Sequence, residues 1–309
     1  METSDIFMTI FDFLSILGFL LTNILVLFAL KVVKKKVEWH IHFRSIIYIG
    51  LFSLCASSII NFGLGMINVR FNNNVYENLS DEWESAYNWI LHCALYFNHF
   101  YRYVQWSICL ERLVATIKIK TYEKFVIRCF WLFAFIVIGV VSYFTLQIMY
   151  WTNMVRKRHF IFIFLDIPIY ITFTILWYTN RKMAKNQKFI IKTLSQKYQV
   201  RENRFIFWLY IPIITIYMIQ QMMFHLFAFK LQTDKTLNKY FIILYGGRTF
   251  ILLLHLVPII FVKSLHNWYL KLKKNSNQIN ETDKDNRPKT NSIKVGEAYF
   301  KMLHNAWNS

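Results

Sequence analysis

Cysteine is scarce in this chain. Four occur among 309 residues, Cys55, Cys93, Cys109 and Cys129, all within or beside apolar runs. None lies in the loop between the fourth and fifth runs, so no disulfide framework is expected and small apolar packing residues is the reading that fits them. No Lys or Arg precedes the first apolar run, and no small-residue cleavage site follows a short apolar core. A removable signal peptide is therefore not expected, and the first run itself should target the chain. The histidines His92, His99, His225 and His255 show no paired i, i+4 spacing with a neighbouring acid. That opposes a metal hydrolase, and no catalytic residue, metal or cofactor is expected. No inverted or parallel repeat of the transporter kind is visible either.

What the chain has in abundance is apolar surface. Hydrophobic residues make up 56% and aromatic residues 19% of the sequence, above the share of a soluble domain. Apolar runs near the twenty residues that a spanning helix needs fall at 7–30, 46–67, 86–114, 125–150, 160–178, 205–229 and 240–262. The third and sixth are the least clean, because each carries polar side chains. This predicts an all-α integral membrane protein, a bundle of seven transmembrane helices with an odd span count that again opposes a transporter.

Basic residues outnumber acidic ones, 36 to 17, for a net charge of +19. A nucleic-acid partner would gather them in one patch, but they alternate between connections. One set of loops holds Lys31, Lys34, Lys35, Lys36 and Arg44, then Arg112 to Arg128, then Arg181 to Arg204, then Lys263 to Lys274. The other set holds Arg70, the trio Arg156, Lys157 and Arg158, and Lys230, Lys235 and Lys239. The positive-inside rule then puts the N-terminus outside and the C-terminus in the cytoplasm. The basic excess is first a topology signal and second a surface for anionic lipid.

Polar residues inside the runs must find partners. Asn23 in the first should face the bundle. In the third, Asn88, His92, Asn98, His99, Arg102, Gln105 and Cys109 share one side, while Ile90, Phe97, Tyr101, Val104 and Ile108 share the other. The first side suits a protein interior and the second suits lipid. The fifth run carries Asp166, either a counter-ion or a group near the outer surface, and a kinking Pro168. Tyr217, Gln220 and Gln221 mark the sixth, and Gly246, Gly247, Arg248, His255 and Pro258 the seventh. Beyond it, Leu265, Trp268, Tyr269 and Leu272 give 263–274 the pattern of an amphipathic helix lying on the inner membrane surface. The polar tail 275–309 is expected to be mostly disordered. Asn78-Leu79-Ser80 fits a glycosylation sequon in the longest outer loop, although Asn280-Glu281-Thr282 in the tail fits as well.

Seven spans with a surface helix match the architecture of a G-protein-coupled receptor. Glu111-Arg112 sits where rhodopsin-like receptors carry Asp/Glu-Arg-Tyr, and Asn23-Ile24-Leu25-Val26 looks like their Asn-x-x-Val. Closer still, Leu110-Glu111-Arg112-Leu113-Val114-Ala115-Thr116 with Thr121-Tyr122-Glu123, and Leu194-Ser195-Gln196-Lys197-Tyr198-Gln199 with Glu202-Asn203, resemble nematode serpentine chemoreceptors of the Sra superfamily. Tyr299-Phe300 with Leu303 and Trp307 leans toward class e, the Sre branch. The chain departs from rhodopsin-like receptors in lacking Tyr after Arg112, Asn-Pro-x-x-Tyr in the seventh run and an outer-loop partner for Cys93.

The resemblance implies an external small-molecule ligand, a heterotrimeric G protein as partner, and a plasma-membrane location at the cilia of sensory neurons. On that reading Arg112, restrained by Glu111 and Glu202, holds a closed state; the competing reading has Arg112 snorkelling to lipid phosphate. His99, Arg102, Asp166, Tyr217, Gln220 and Arg248 are the candidate ligand pocket, polar or ionisable groups at plausible depth on facing helices. Equally, Asp166 neutralises Arg102 or Arg248 and binds nothing. The remaining alternatives are a polytopic membrane transporter or intramembrane enzyme, and an inverted seven-span channel that the loop charges oppose.

Overall fold

The computed structural model describes residues 3–35, 39–70, 81–119, 121–122, 125–151, 158–185, 194–233 and 255–261. They form six long helices in chain order: α1 (Thr3–Lys35), α2 (Ile41–Arg70), α3 (Asp81–Ile117), α4 (Phe130–Trp151), α5 (Arg158–Lys185) and α6 (Leu194–Thr233). Residues 255–260 add a further helical stretch. Five helices contain segments long and apolar enough to cross a membrane: Ile16–Lys35, Ile41–Ile67, Phe130–Met149, Ile161–Met183 and Gln199–Phe227. α3 is absent from that set because of the polar residues along its length, although it is 37 residues long.

α3 is the centre of the bundle, packed against α2, α4, α5 and α6. This corrects the expectation of a lipid-facing side on α3. Tyr101, Val104 and Ile108 are buried, as is Phe100, so the middle of the helix is enclosed nearly all round. Periodicity separates apolar from polar but does not distinguish lipid from a neighbouring helix, since both are equally apolar surroundings. Asn88 and His92, assigned to the inward side, are exposed instead. Lipid-like exposure belongs to the outer helices: Phe13, Leu20, Leu27 and Phe28 on α1, and Trp131, Phe133, Ile136 and Phe144 on α4.

The close approach of the helices is visible at two glycines. A Cβ on Gly50 of α2 would lie 3.2 Å from Val104 Cγ1 of α3, and one on Gly139 of α4 would lie 3.2 Å from the Tyr96 hydroxyl. That hydroxyl donates to the Gly139 carbonyl at 3.3 Å, tying α3 to α4. Asn23 does face the bundle. Its Nδ2 donates to Ser58 Oγ of α2 at 3.0 Å and to the Phe19 carbonyl at 2.9 Å, while Cys55 Sγ donates to its Oδ1 at 3.0 Å. Cys55, read as a packing residue, thus completes an interhelical hydrogen-bonded cluster. α4 starts abruptly after Cys129, which takes a left-handed backbone (φ 55°) while its carbonyl accepts from the Leu132 and Phe133 N–H groups.

Several sequence expectations fall outside the described residues: the sequon at Asn78, Arg248 with Gly246 and Gly247, the amphipathic segment 263–274 and the tail 275–309.

Candidate functional site

Two buried clusters lie on α3, each built around an arginine. Ten residues separate Arg102 from Arg112, which at 1.5 Å per residue is about 15 Å along the helix.

At the first, Arg102 is 1% exposed and meets Asp166 of α5, also 1% exposed, in a two-pronged pair. Nε donates to Oδ1 at 2.6 Å and Nη2 to Oδ2 at 3.0 Å. A guanidinium is always a donor, so the other two contacts fix histidine tautomers. Nη1 lies 3.0 Å from His99 Nδ1, and Nη2 lies 3.2 Å from Nε2 of His225 on α6. Both ring nitrogens must accept, leaving each imidazole neutral with its proton on the other nitrogen. Tyr217 of α6 donates to Asp166 Oδ1 at 3.2 Å, and the guanidinium stacks over Phe162 of α5 at 4.4 Å. One ion pair therefore joins α3, α5 and α6 in an interior where an unpaired charge would be costly.

Tyr101, on the same stretch of α3, carries the aromatic lining toward the helical stretch 255–260. Its ring centroid is 5.8 Å from Tyr217 and 5.8 Å from His255. Gln220 is buried on α6, five residues before His225, and its amide atoms have no hydrogen-bond partner among the described residues.

At the second cluster Arg112 is wholly buried, with no exposed surface. The competing expectation that it snorkels to lipid phosphate is overturned, because the side chain is enclosed by protein. Its Nε and Nη2 both donate to the Glu111 carboxylate, and Nη1 donates to Asn203 Oδ1 of α6 at 2.7 Å. Tyr122, on the turn after α3, donates its hydroxyl to the same carboxylate. Phe43 of α2 lies under the guanidinium at 4.6 Å. Burial, then the Glu111 charge, pushes the Tyr122 phenol well above its ordinary range, so it remains a donor.

Glu202 of α6 adds its charge at the Arg112 guanidinium. Its Oε1 accepts from the backbone N–H of His40 at 3.1 Å, and its neighbour Asn203 supplies the α6 contact to Arg112. His40 in turn packs its ring 4.2 Å from Tyr122 and accepts weakly on Nδ1 from the His42 N–H at 3.4 Å. Burial, aided by His42, Arg112 and Arg44, pushes the His40 imidazole down to about 3. His42 Nε2 accepts from the Ile127 N–H at 2.9 Å, fastening the segment that leads into α4.

The structure thus brings together His99, Arg102, Asp166 and Tyr217 in one cluster, and Glu111 and Arg112 with the Glu202 charge nearby in the other. The sequence reading named neither His225 nor Phe162 for the first, nor Asn203, Tyr122 and Phe43 for the second. His225 and Tyr217 are eight residues apart on one helix, so they share a face, and that spacing was the available signal.

No curated protein matches the chain. The family model described as Sre G protein-coupled chemoreceptor matches residues 47–308, which run from within α2 through the later helices and include Arg102 and Arg112 with their hydrogen-bond partners. A helical membrane bundle with two buried charged clusters on its central helix is in keeping with that match, and the chain belongs to the Sre G protein-coupled chemoreceptor family.

Proposed function

We propose that an external small molecule enters the bundle at the Arg102 cluster and that its binding is relayed by α6 to the Arg112 cluster, where a heterotrimeric G protein engages the cytoplasmic end. The observation that carries this reading is that α6 is hydrogen-bonded to α3 at both places, through His225 at one and Asn203 at the other. Pro212 lies between them inside α6, where it removes one backbone hydrogen bond and lets the two halves tilt. A ligand drives such a change only by binding the open arrangement better than the closed one. A group that takes over the Asp166 or His225 contact to Arg102 satisfies that condition, because those contacts link α3 to α5 and α6. Seven crossings, an extracellular N-terminus, and residence in the plasma membrane of sensory cilia complete the proposal, supported by the loop charge bias and by the family.

A structural role for the pair is favoured by how fully Arg102 is already satisfied: four hydrogen bonds to Asp166, His99 and His225 occupy the fork. The experiment that separates the two is a chemical screen with a G-protein readout in cells expressing the chain, repeated on His225→Ala. A shifted or lost response to an active compound at equal surface expression supports ligand contact. An unaltered concentration dependence leaves the cluster as scaffold.

A further inference from the structure

Lys34, in the last turn of α1, and Arg44, near the start of α2, stand at the rim of an open groove of about 550 Å³ between α2 and α4. Below them the walls are Tyr48 and Phe52 of α2 and Trp131 and Phe135 of α4. The groove opens outward, with Trp131 58% exposed and Phe52 49% exposed, and the Phe52 and Phe135 rings meet at its floor with centroids 5.6 Å apart. Among the described residues no acidic side chain lines it. Arg44 Nε is buried and has no hydrogen-bond acceptor among the described residues.

We propose that this groove is a binding site for an anionic glycerophospholipid, its phosphate held by Arg44 and Lys34 and one acyl chain laid along Tyr48, Phe52, Trp131 and Phe135. Two observations select a lipid over other occupants. The aromatic walls run from the polar rim into the depth of the bundle's outer face, which is where an acyl chain lies and a free phosphate ion would gain nothing. The rim carries two cations with no acidic side chain beside them among the described residues, and a planar guanidinium matches phosphate oxygens. The positive end of the α2 macrodipole adds to the same field. A lipid without a phosphate would leave the Arg44 donor unanswered, and phosphatidylcholine would bring its own trimethylammonium cation beside Lys34 and Arg44. A volume of this size is in the range of small-ligand sites. The site lies on the outer surface of the bundle, away from Arg102, so it requires the helices to be in a bilayer and nothing of the signalling reading.

The test uses the full chain in phosphatidylcholine nanodiscs doped with a minor, equal fraction of brominated-chain phosphatidylserine or brominated-chain phosphatidylcholine. Fluorescence from Trp131 is isolated by subtracting the signal of Trp131→Phe. The expected result is several-fold stronger quenching of Trp131 by the serine lipid, with about a fivefold loss of that preference for each cation removed, as Lys34→Gln and Arg44→Gln. Lys34 is exposed, so its substitution reports even if Arg44→Gln fails to fold. Equal quenching by both lipids overturns the proposal, leaving only the lipid shell that any apolar face collects. A preference that Lys34→Gln leaves whole overturns it too, as does stronger quenching by a brominated sterol that ignores both substitutions.

Discussion

Arg112 Nη1 and Asn203 Oδ1 lie 2.7 Å apart, and this hydrogen bond joins α3 to α6 beneath a carboxylate that Tyr122 also holds. The acid next to Arg112 in sequence orients the guanidinium, while the residue that crosses to another helix is a neutral amide. Glu111 travels with Arg112 on α3, so the parting of α3 and α6 breaks the bond to the Asn203 amide and draws the Glu202 charge away from the guanidinium.

Asn203→Ala removes one acceptor from a buried guanidinium, a bond of about 1.5–3 kcal/mol. If it holds the closed state, basal signalling rises by roughly tenfold or more at equal surface expression, read as ligand-free G-protein activation. Glu111→Ala should act in the same direction. Unchanged basal output in both variants, with normal surface delivery, removes the lock.

Asp166→Asn leaves Arg102 buried without its counter-charge, a change that costs about 3–5 kcal/mol. Surface expression and thermal stability should both fall. The paired replacement Arg102→Met with Asp166→Leu takes both charges out and should recover most of that loss. A double variant as unstable as the single one would mean that the pair does not carry the stability assigned to it.

Gly50→Val places branched carbons against Val104 and should destabilise by about 1–3 kcal/mol through forced separation of α2 and α3. At Gly65 of the same helix a Cβ meets nothing within 4 Å, so Gly65→Ala should stabilise by about 0.5–1 kcal/mol. Thermal melting of the purified chain reads both, and equal shifts in one direction would contradict the packing described.

The buried His40 predicts acid sensitivity with a definite sign. Its imidazole stays neutral in the folded chain down to about pH 3, whereas the unfolded chain protonates near the ordinary histidine value of 6.5. Between those limits the unfolded state binds more protons, so stability falls as pH falls, by up to about 1.4 kcal/mol per unit. His40→Asn should flatten the dependence in that window. A pH profile that keeps its slope after the substitution would assign the effect to other groups.

The Arg102 cluster was half legible in the sequence. An arginine amid an apolar run demands an anion, and Asp166 was one of few candidates, so the ion pair followed from the cost of burying charge. Which of Arg102 and Arg248 would receive Asp166 did not follow, since that depends on how α5 is rotated and how deep it sits. His225 looked like any isolated histidine. Only its approach to Nη2 of Arg102 gives it a role, and the lone asparagine that completes the Arg112 cluster was hidden beside the more conspicuous Glu202.

Sequence by itself determined that this is a helical membrane protein, since runs of apolar side chains and the uneven placement of Lys and Arg are properties of the chain alone. It also fixed which residues had to be sheltered. Tertiary packing decided that α3 is enclosed nearly all round, that Arg112 is covered by protein and kept away from lipid, and that α6 touches α3 at both arginines. The reason is physical: hydrophobicity states that a side chain avoids water, but a lipid tail and a neighbouring helix satisfy it equally, and only the rotation and spacing of the packed helices choose between them.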